Sequence, residues 1–263
     1  MPLPQVSQQL TATVTAPETP ALLYCQAQTL ETEGAIPEAI TAYRRAVATA
    51  EAWADQPTLI RALCRLAILL HHANQSAEAR ELAERSREVA LTAGDRIRAA
   101  EAVNALAGIA LELGELDSAK ALYDEAATLG ADDPGVLGRV AQNLGIIANV
   151  RGEWDDARAH YDQALTAFQT AGDEPRTAIA YHNLGLINTH RGDRAAAEQN
   201  LEDSRAIAHR LGDIRLEGMA CLNLPRTSSN RGDPNRPKPG SSPRWPFSPN
   251  SAPIASRPMP IGC

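Results

Sequence analysis

The sequence predicts an all-α protein, a right-handed superhelical solenoid of about five helix-turn-helix hairpins. Two observations lead to this prediction. The first is an internal repeat with a period close to 40 residues, a length typical of helical repeat proteins. The second is the composition, in which aromatic residues make up only 4% and the apolar positions are mostly Ala, Leu, Ile and Val. Chains of this composition favour helices that pack closely.

A recurring glycine or asparagine marks the period. The markers stand 40, 40, 38, 40 and 40 residues apart, at Gly34, Asn74, Gly114, Gly152, Gly192 and Gly232. Glycine adopts the left-handed backbone conformation that ends many helices, and asparagine tolerates it. Each marker therefore predicts the turn between the two helices of one hairpin.

Small and apolar residues keep fixed distances from the markers. Five, nine and twelve positions after Gly152 stand Ala157, Tyr161 and Ala164, and the other repeats carry similar residues there. Residues three and four apart lie on one face of a helix, so these positions predict the buried face of the second helix. Leu144-Gly145 precedes the same marker, and a leucine followed by a small residue allows two helices to approach closely.

Aspartates separate consecutive hairpins. Asp55, Asp95, Asp173 and Asp213 stand where the next first helix begins, and aspartate is a preferred N-cap residue. The third repeat ends early in "LGADDPG", which explains its shorter period of 38 residues.

These features divide the chain into three parts. We expect a disordered N-terminus at 1–20, a solenoid at 21–224 and a disordered tail rich in Pro, Arg and Ser at 225–263. The solenoid comprises repeats at 21–54, 55–94, 95–133, 134–172 and 173–212, and a partial capping helix at 213–224. The tail holds ten of the eighteen prolines, beginning with Pro225 where earlier repeats have glycine. It is either a linker or recognition segment, or the product of a shifted reading frame.

The repeat resembles the tetratricopeptide repeat (TPR) in its small residue in the first helix, its glycine turn and its Ala-aromatic-Ala pattern in the second. The unit of about 40 residues is similar to the long form in kinesin light chains, Leu-Gly-Asn-rich G-protein modulators and bacterial MalT-like regulators. The resemblance covers roughly residues 21–224. It implies a non-enzymatic scaffold that binds a peptide or helix in a concave groove, or alternatively the signal-sensing fragment of a bacterial transcriptional regulator.

In this family the first helix of each hairpin lines the groove. Transferred to this sequence, the groove candidates are Arg61, Arg65, Asn104, Arg139, Gln142, Asn143, His182 and Asn183. Asn143 and Asn183 stand where family members hydrogen-bond the backbone of a bound peptide, because an amide both donates and accepts. The alternative is that both are solvated residues on a helix surface.

Several other functions find no support in the sequence. The Arg-Gly-Asp at 191–193 occupies the hairpin turn, where sister repeats have other residues, so it is structural rather than an adhesion motif. No nucleotide-binding or catalytic motif occurs, and His182 and His190 lack a third metal ligand, so we expect no enzyme activity, cofactor or metal.

Charge and hydropathy restrict the partners. The net charge is −7, which disfavours nucleic-acid binding. No signal peptide or membrane-spanning stretch is apparent, so we expect a cytoplasmic protein with a protein or peptide partner. The oligomeric state stays open.

Overall fold

The computed structural model describes residues 18–224, and within this range the chain forms eleven α-helices and no strand. The helices are α1 (Pro20–Thr32), α2 (Ile36–Ala52), α3 (Gln56–His72), α4 (Ser76–Thr92), α5 (Arg96–Glu112), α6 (Leu116–Leu129), α7 (Pro134–Arg151), α8 (Trp154–Ala171), α9 (Glu174–Arg191), α10 (Arg194–Leu211) and α11 (Ile214–Asn223). Residues 1–17 and 225–263 lie outside the described range, so the predictions of a disordered N-terminus and a disordered tail stay predictions.

Consecutive helices pack against each other along the whole described chain, forming five hairpins followed by α11. The first helices also touch across hairpins: α1, α3, α5 and α7 contact one another in turn, and α9 contacts α11. The second helices of neighbouring hairpins lie farther apart. The first helices are therefore the inner, more crowded layer of a curved stack. The all-α solenoid predicted from the repeat is confirmed.

The predicted turns and caps are confirmed in detail. Gly152 and Gly192 have φ angles of 77° and 80°, and Asn74 has a φ of 61°, all in the left-handed region. The Oδ1 atom of Asp55 accepts a hydrogen bond from the Thr58 amide at 3.1 Å, and Asp95, Asp173 and Asp213 cap α5, α9 and α11 in the same way. Asp133 also caps α7, a role that the repeat pattern did not reveal.

The small residues of the first helices lie directly against side chains of the second helices. A Cβ atom added to Gly145 would stand 2.6 Å from a ring carbon of Tyr161, and one added to Gly185 would stand 2.6 Å from Cγ of Leu201. Real Cβ atoms essentially never approach that closely. In these two hairpins the glycine is therefore what lets the paired helices close, as the sequence pattern indicated.

The tyrosines at the same position of different repeats have different hydrogen bonding. The Tyr43 hydroxyl donates to Oε2 of Glu31 at 2.8 Å, whereas the Tyr161 hydroxyl is buried without a partner among the described residues. Burial and the Glu31 carboxylate raise the pKa of Tyr43, so its hydroxyl stays protonated and able to donate.

This contrast gives a matched pair of variants. We expect Tyr43→Phe to lower the free energy of unfolding by about 2 kcal/mol, because it leaves a buried carboxylate short of a donor. Tyr161→Phe removes an unpaired hydroxyl and should leave stability unchanged or raise it by up to about 1 kcal/mol. Urea denaturation of both variants checks this, and equal losses would contradict it.

The third hairpin is shorter than its neighbours. Helix α6 has 14 residues, whereas α4 has 17 and α8 has 18, and it ends at Gly130 in a backbone conformation that is not left-handed. The shorter period of the third repeat predicted that this hairpin has fewer residues. As a consequence, the α6–α7 junction makes the sparsest contact between any two consecutive hairpins.

Candidate peptide-binding groove

The eight candidate residues all lie on the inner layer, on α3, α5, α7 and α9. Their side chains form two groups. The three arginines lie in the second and fourth hairpins, and the four amides and one imidazole lie in hairpins three to five. The two groups differ in charge, burial and hydrogen bonding, so each is described separately.

The amide row consists of Asn104, Gln142, Asn143, His182 and Asn183. Nδ2 of Asn143 donates to Oδ1 of Asn104 at 3.4 Å, which links α5 to α7 by a long hydrogen bond. Asn143 is 3% exposed and Asn183 is 8% exposed, so neither is a freely solvated residue on a helix surface. Asn104 and Gln142 are half-buried.

The inter-helix hydrogen bonding stops between α7 and α9. Oε1 of Gln142 and both ring nitrogens of His182 are buried, and none of them has a hydrogen-bond partner within residues 18–224. Helices α7 and α9 also approach each other less closely than the other inner helices. Buried polar atoms without partners are uncommon because each one loses its hydration without compensation. The fourth and fifth hairpins therefore hold unused hydrogen-bonding capacity.

His182 makes stability depend on pH. Burial lowers the pKa of His182 to about 4 from an ordinary value of 6.5. The folded state therefore keeps the ring neutral, while the unfolded chain takes up a proton below pH 6.5. We expect the free energy of unfolding to fall by about 3 kcal/mol as the pH drops from 6.5 to 4.

Two histidine variants test this expectation. His182→Leu removes the titrating group, so its stability should depend less steeply on pH across that window. His190 is exposed and stacks on Trp154 with ring centroids 5.8 Å apart, so His190→Leu should keep the wild-type pH dependence. Denaturation at a series of pH values checks both, and identical slopes for wild type and His182→Leu would refute the assignment.

The charged part of the inner layer begins at α1 and α3. The guanidinium of Arg61 lies over the ring of Tyr24, 4.2 Å from its centroid, a cation–π contact. Arg65 forms an ion pair with Glu31, the carboxylate that also accepts the Tyr43 hydroxyl. Arg65 is thus held in a network within the first two hairpins, whereas Arg61 is exposed.

Glu101 joins two arginines from different hairpins. Its carboxylate lies 2.6 Å from Arg98 on α5 and 3.3 Å from Arg139 on α7. Burial, together with the nearby Arg176, lowers the pKa of Arg139 although Glu101 counteracts this. Arg139 therefore has less compensating negative charge than an arginine with a carboxylate of its own.

Other predicted site residues do not come together. His182 is buried while His190 is exposed at the hairpin turn, so the two do not form a site. In the part of the chain that the structure describes, no three His, Cys, Asp or Glu side chains gather where they could hold a metal ion. Between residues 18 and 224, no helix combines the length and apolar content that a membrane span requires.

The paired helices and the groove define a helical repeat protein. The sequence profile of the tetratricopeptide repeat matches residues 18–92 and 138–209, together more than half of the chain. The chain belongs to the tetratricopeptide repeat family, and the resemblance noted from the sequence is confirmed. A search of curated proteins found no match.

Solved structures share the fold. BtubC (BKLC) from P. vanneervenii is 24% identical with a TM-score of 0.60, and the match covers 73% of this chain and 82% of that one. A Rap protein complexed with competence and sporulation factor is 15% identical with a TM-score of 0.66, covering 79% of this chain and 64% of that one. A signal transduction ATPase from Pyrococcus horikoshii with a tetratricopeptide repeat sensor is 16% identical with a TM-score of 0.64, covering 78% and 32%.

Proposed function

We propose that this protein is a non-enzymatic interaction scaffold that binds a peptide or helix of a partner protein in the groove of its inner helices. The observation that carries the proposal is the amide row, in which four amides and one imidazole from α5, α7 and α9 lie together on the inner layer. A peptide backbone presents alternating donors and acceptors, which are the groups that amides pair with.

The geometry of Asn143 supports this proposal. Its hydrogen bond to Asn104 spans 3.4 Å, near the limit of such bonds, so exchanging it for a bond to a ligand amide loses little. The Rap protein of similar fold is bound to competence and sporulation factor, which gives a precedent for ligand binding by this architecture.

Peptide display tests the proposal. We expect a random peptide library to yield ligands for the wild-type protein, and Asn143→Ala/Asn183→Ala to weaken their binding by about tenfold or more, since each lost hydrogen bond contributes about 1 kcal/mol. Gln199→Ala serves as the control, because this amide lies on α10 in the outer layer and bonds Asp203. Thermal melts establish that the variants fold.

Unchanged affinities in the double variant would reject the amide row as the binding surface. Failure of the library to yield any ligand would reject peptide binding itself.

A second candidate function is signal sensing as part of a bacterial transcriptional regulator. It is favoured by the similarity to the signal transduction ATPase, of whose length this chain covers only 32%. If neighbouring genes encode no DNA-binding or ATPase module, and no such module co-purifies with the protein, this candidate is removed.

A further inference from the structure

A strip of arginines runs beside the amide row, nearer to the N-terminal ends of the inner helices. We call Arg61, Arg98, Arg139 and Arg176 the arginine strip, and it extends over α3, α5, α7 and α9. On α7, Arg139 precedes Gln142 and Asn143 by about one helical turn. A ligand lying on the amide row would therefore have the strip along one side.

Three of the four arginines of the strip lie close to one another. Arg98 and Arg139 share Glu101, at 2.6 Å and 3.3 Å. Both also lie near the Cys64 thiol, where burial raises the pKa to about 11 and these two cations oppose the rise. Arg176 is close enough to Arg139 to act on its charge. The guanidinium groups of Arg98, Arg139 and Arg176 are therefore close enough to act on one another, and Arg61 extends the strip onto α3.

Carboxylates compensate this charge only in part. Within the described residues, the ion pairs of the strip join three of its four arginines to two carboxylates, Glu101 and Asp173. Arg61 instead contacts the Tyr24 ring. Asp95 and Asp133 lie nearby, but the Oδ1 atom of each accepts an amide hydrogen bond as a helix cap. Helix N-termini carry partial positive charge, which balances much of the charge of a capping carboxylate.

The arginine strip is a local positive region in a chain whose net charge is negative. The chain carries −7, so a general attraction to anions is absent. A cationic strip inside a groove of such a protein acts locally, because screening limits charge effects to about 8 Å at physiological ionic strength. It therefore favours anions that enter the groove over anions elsewhere on the surface.

We infer that the arginine strip selects an acidic segment of the partner protein, with Asp or Glu side chains recurring about every third residue. This inference rests on the proposed peptide binding by the amide row. The guanidinium groups of Arg61 and Arg139 supply planar, multiple N–H donors that suit carboxylates.

The spacing follows from geometry. Packed helices stand roughly 8–10 Å apart, so the contacting inner helices α3, α5 and α7 present arginines at about that interval. A polyproline-type peptide rises about 3.1 Å per residue with three residues per turn, so side chains three positions apart share one face roughly 9 Å apart. An acidic residue at every third position thus meets one inner helix after another.

A designed peptide tests the strip directly. The probe is a labelled dodecapeptide of four Glu-Pro-Ala triplets, and its matched control replaces each Glu by Gln. We expect the Glu peptide to bind at least about tenfold more tightly and its affinity to fall with added NaCl, while the Gln peptide responds little to salt. Fluorescence anisotropy measures both.

Protein variants locate the effect. Arg61→Gln and Arg139→Gln should each weaken the Glu peptide by about fivefold, the upper range for an accessible ion pair. Arg44→Gln is the control, because Arg44 on α2 pairs with Glu78 in the outer layer. Arg61 is exposed, so Arg61→Gln should fold normally. The test therefore remains decisive even if Arg139→Gln is destabilised.

Each outcome separates the strip from the amide row. Equal binding of the Glu and Gln peptides, or no binding of either, overturns the strip as a selector of acidic segments. If the ligands selected by display still bind more weakly to Asn143→Ala/Asn183→Ala, peptide binding by the amide row stands without the arginine strip. The inference is supported if the ligands selected by display are enriched in Asp and Glu and no longer bind Arg61→Gln.

Discussion

We expect Gly145→Leu to destabilise the protein by about 3 kcal/mol or more and to unfold the fourth and fifth hairpins together. Even a Cβ atom at this position would stand 2.6 Å and 2.7 Å from two ring carbons of Tyr161, so the larger side chain forces α7 and α8 apart. Leucine has the better helix propensity, but that gain is only about 0.8 kcal/mol. The steric effect therefore dominates.

Hydrogen exchange and urea denaturation measure this result. Because each hairpin buries its apolar face only against its neighbours, loss of α7–α8 packing removes the support for α9 and α10. Gly218→Leu is the control, since a Cβ atom added to Gly218 meets nothing within 4 Å. Loss of protection confined to α7 and α8 would contradict the coupling between hairpins.

Phe168→Ala should have an effect of similar size. Phe168 is fully buried and packs with Ala141, Ala164 and Ala180, so it joins α7, α8 and α9. Its ring also fills the space beside Gly138, where an added Cβ would be 2.6 Å away. Small neighbours cannot collapse into the cavity left by alanine, so we expect a loss of about 3–5 kcal/mol.

A second aromatic on the same helix is the control. Trp154, the first residue of α8, is 43% exposed, and Trp154→Ala should change the free energy of unfolding by less than about 1 kcal/mol. Equal losses for Phe168→Ala and Trp154→Ala would show that burial at this junction does not determine stability.

The repeat pattern was sufficient for the architecture because each of its positions has a local physical cause. Gly152 ends α7 by its backbone conformation, Asp173 caps α9 by its own carboxylate, and Gly145 allows close packing because it lacks a side chain. These effects depend on residue type and spacing alone, so they can be recognised without coordinates.

The site was less accessible to sequence analysis because it depends on distances between hairpins. Asn143 and Asn183 occupy equivalent positions, yet only Asn143 reaches a neighbouring amide, because α5 and α7 are closer than α7 and α9. The sharing of Glu101 by Arg98 and Arg139 likewise joins side chains 38 residues apart along the chain. Opposite charges separated by one repeat length, such as Glu101 and Arg139, are the sequence signal that could have indicated this ion pair.

The short helix α6 gives the molecule a mechanical asymmetry. A stack of hairpins resists bending through the contacts between neighbouring hairpins. These contacts are sparsest at the α6–α7 junction. We therefore expect bending of the stack to be concentrated at the α6–α7 junction. The long Asn104–Asn143 hydrogen bond joins the same two hairpins, so we expect such bending to change the spacing of these two amides.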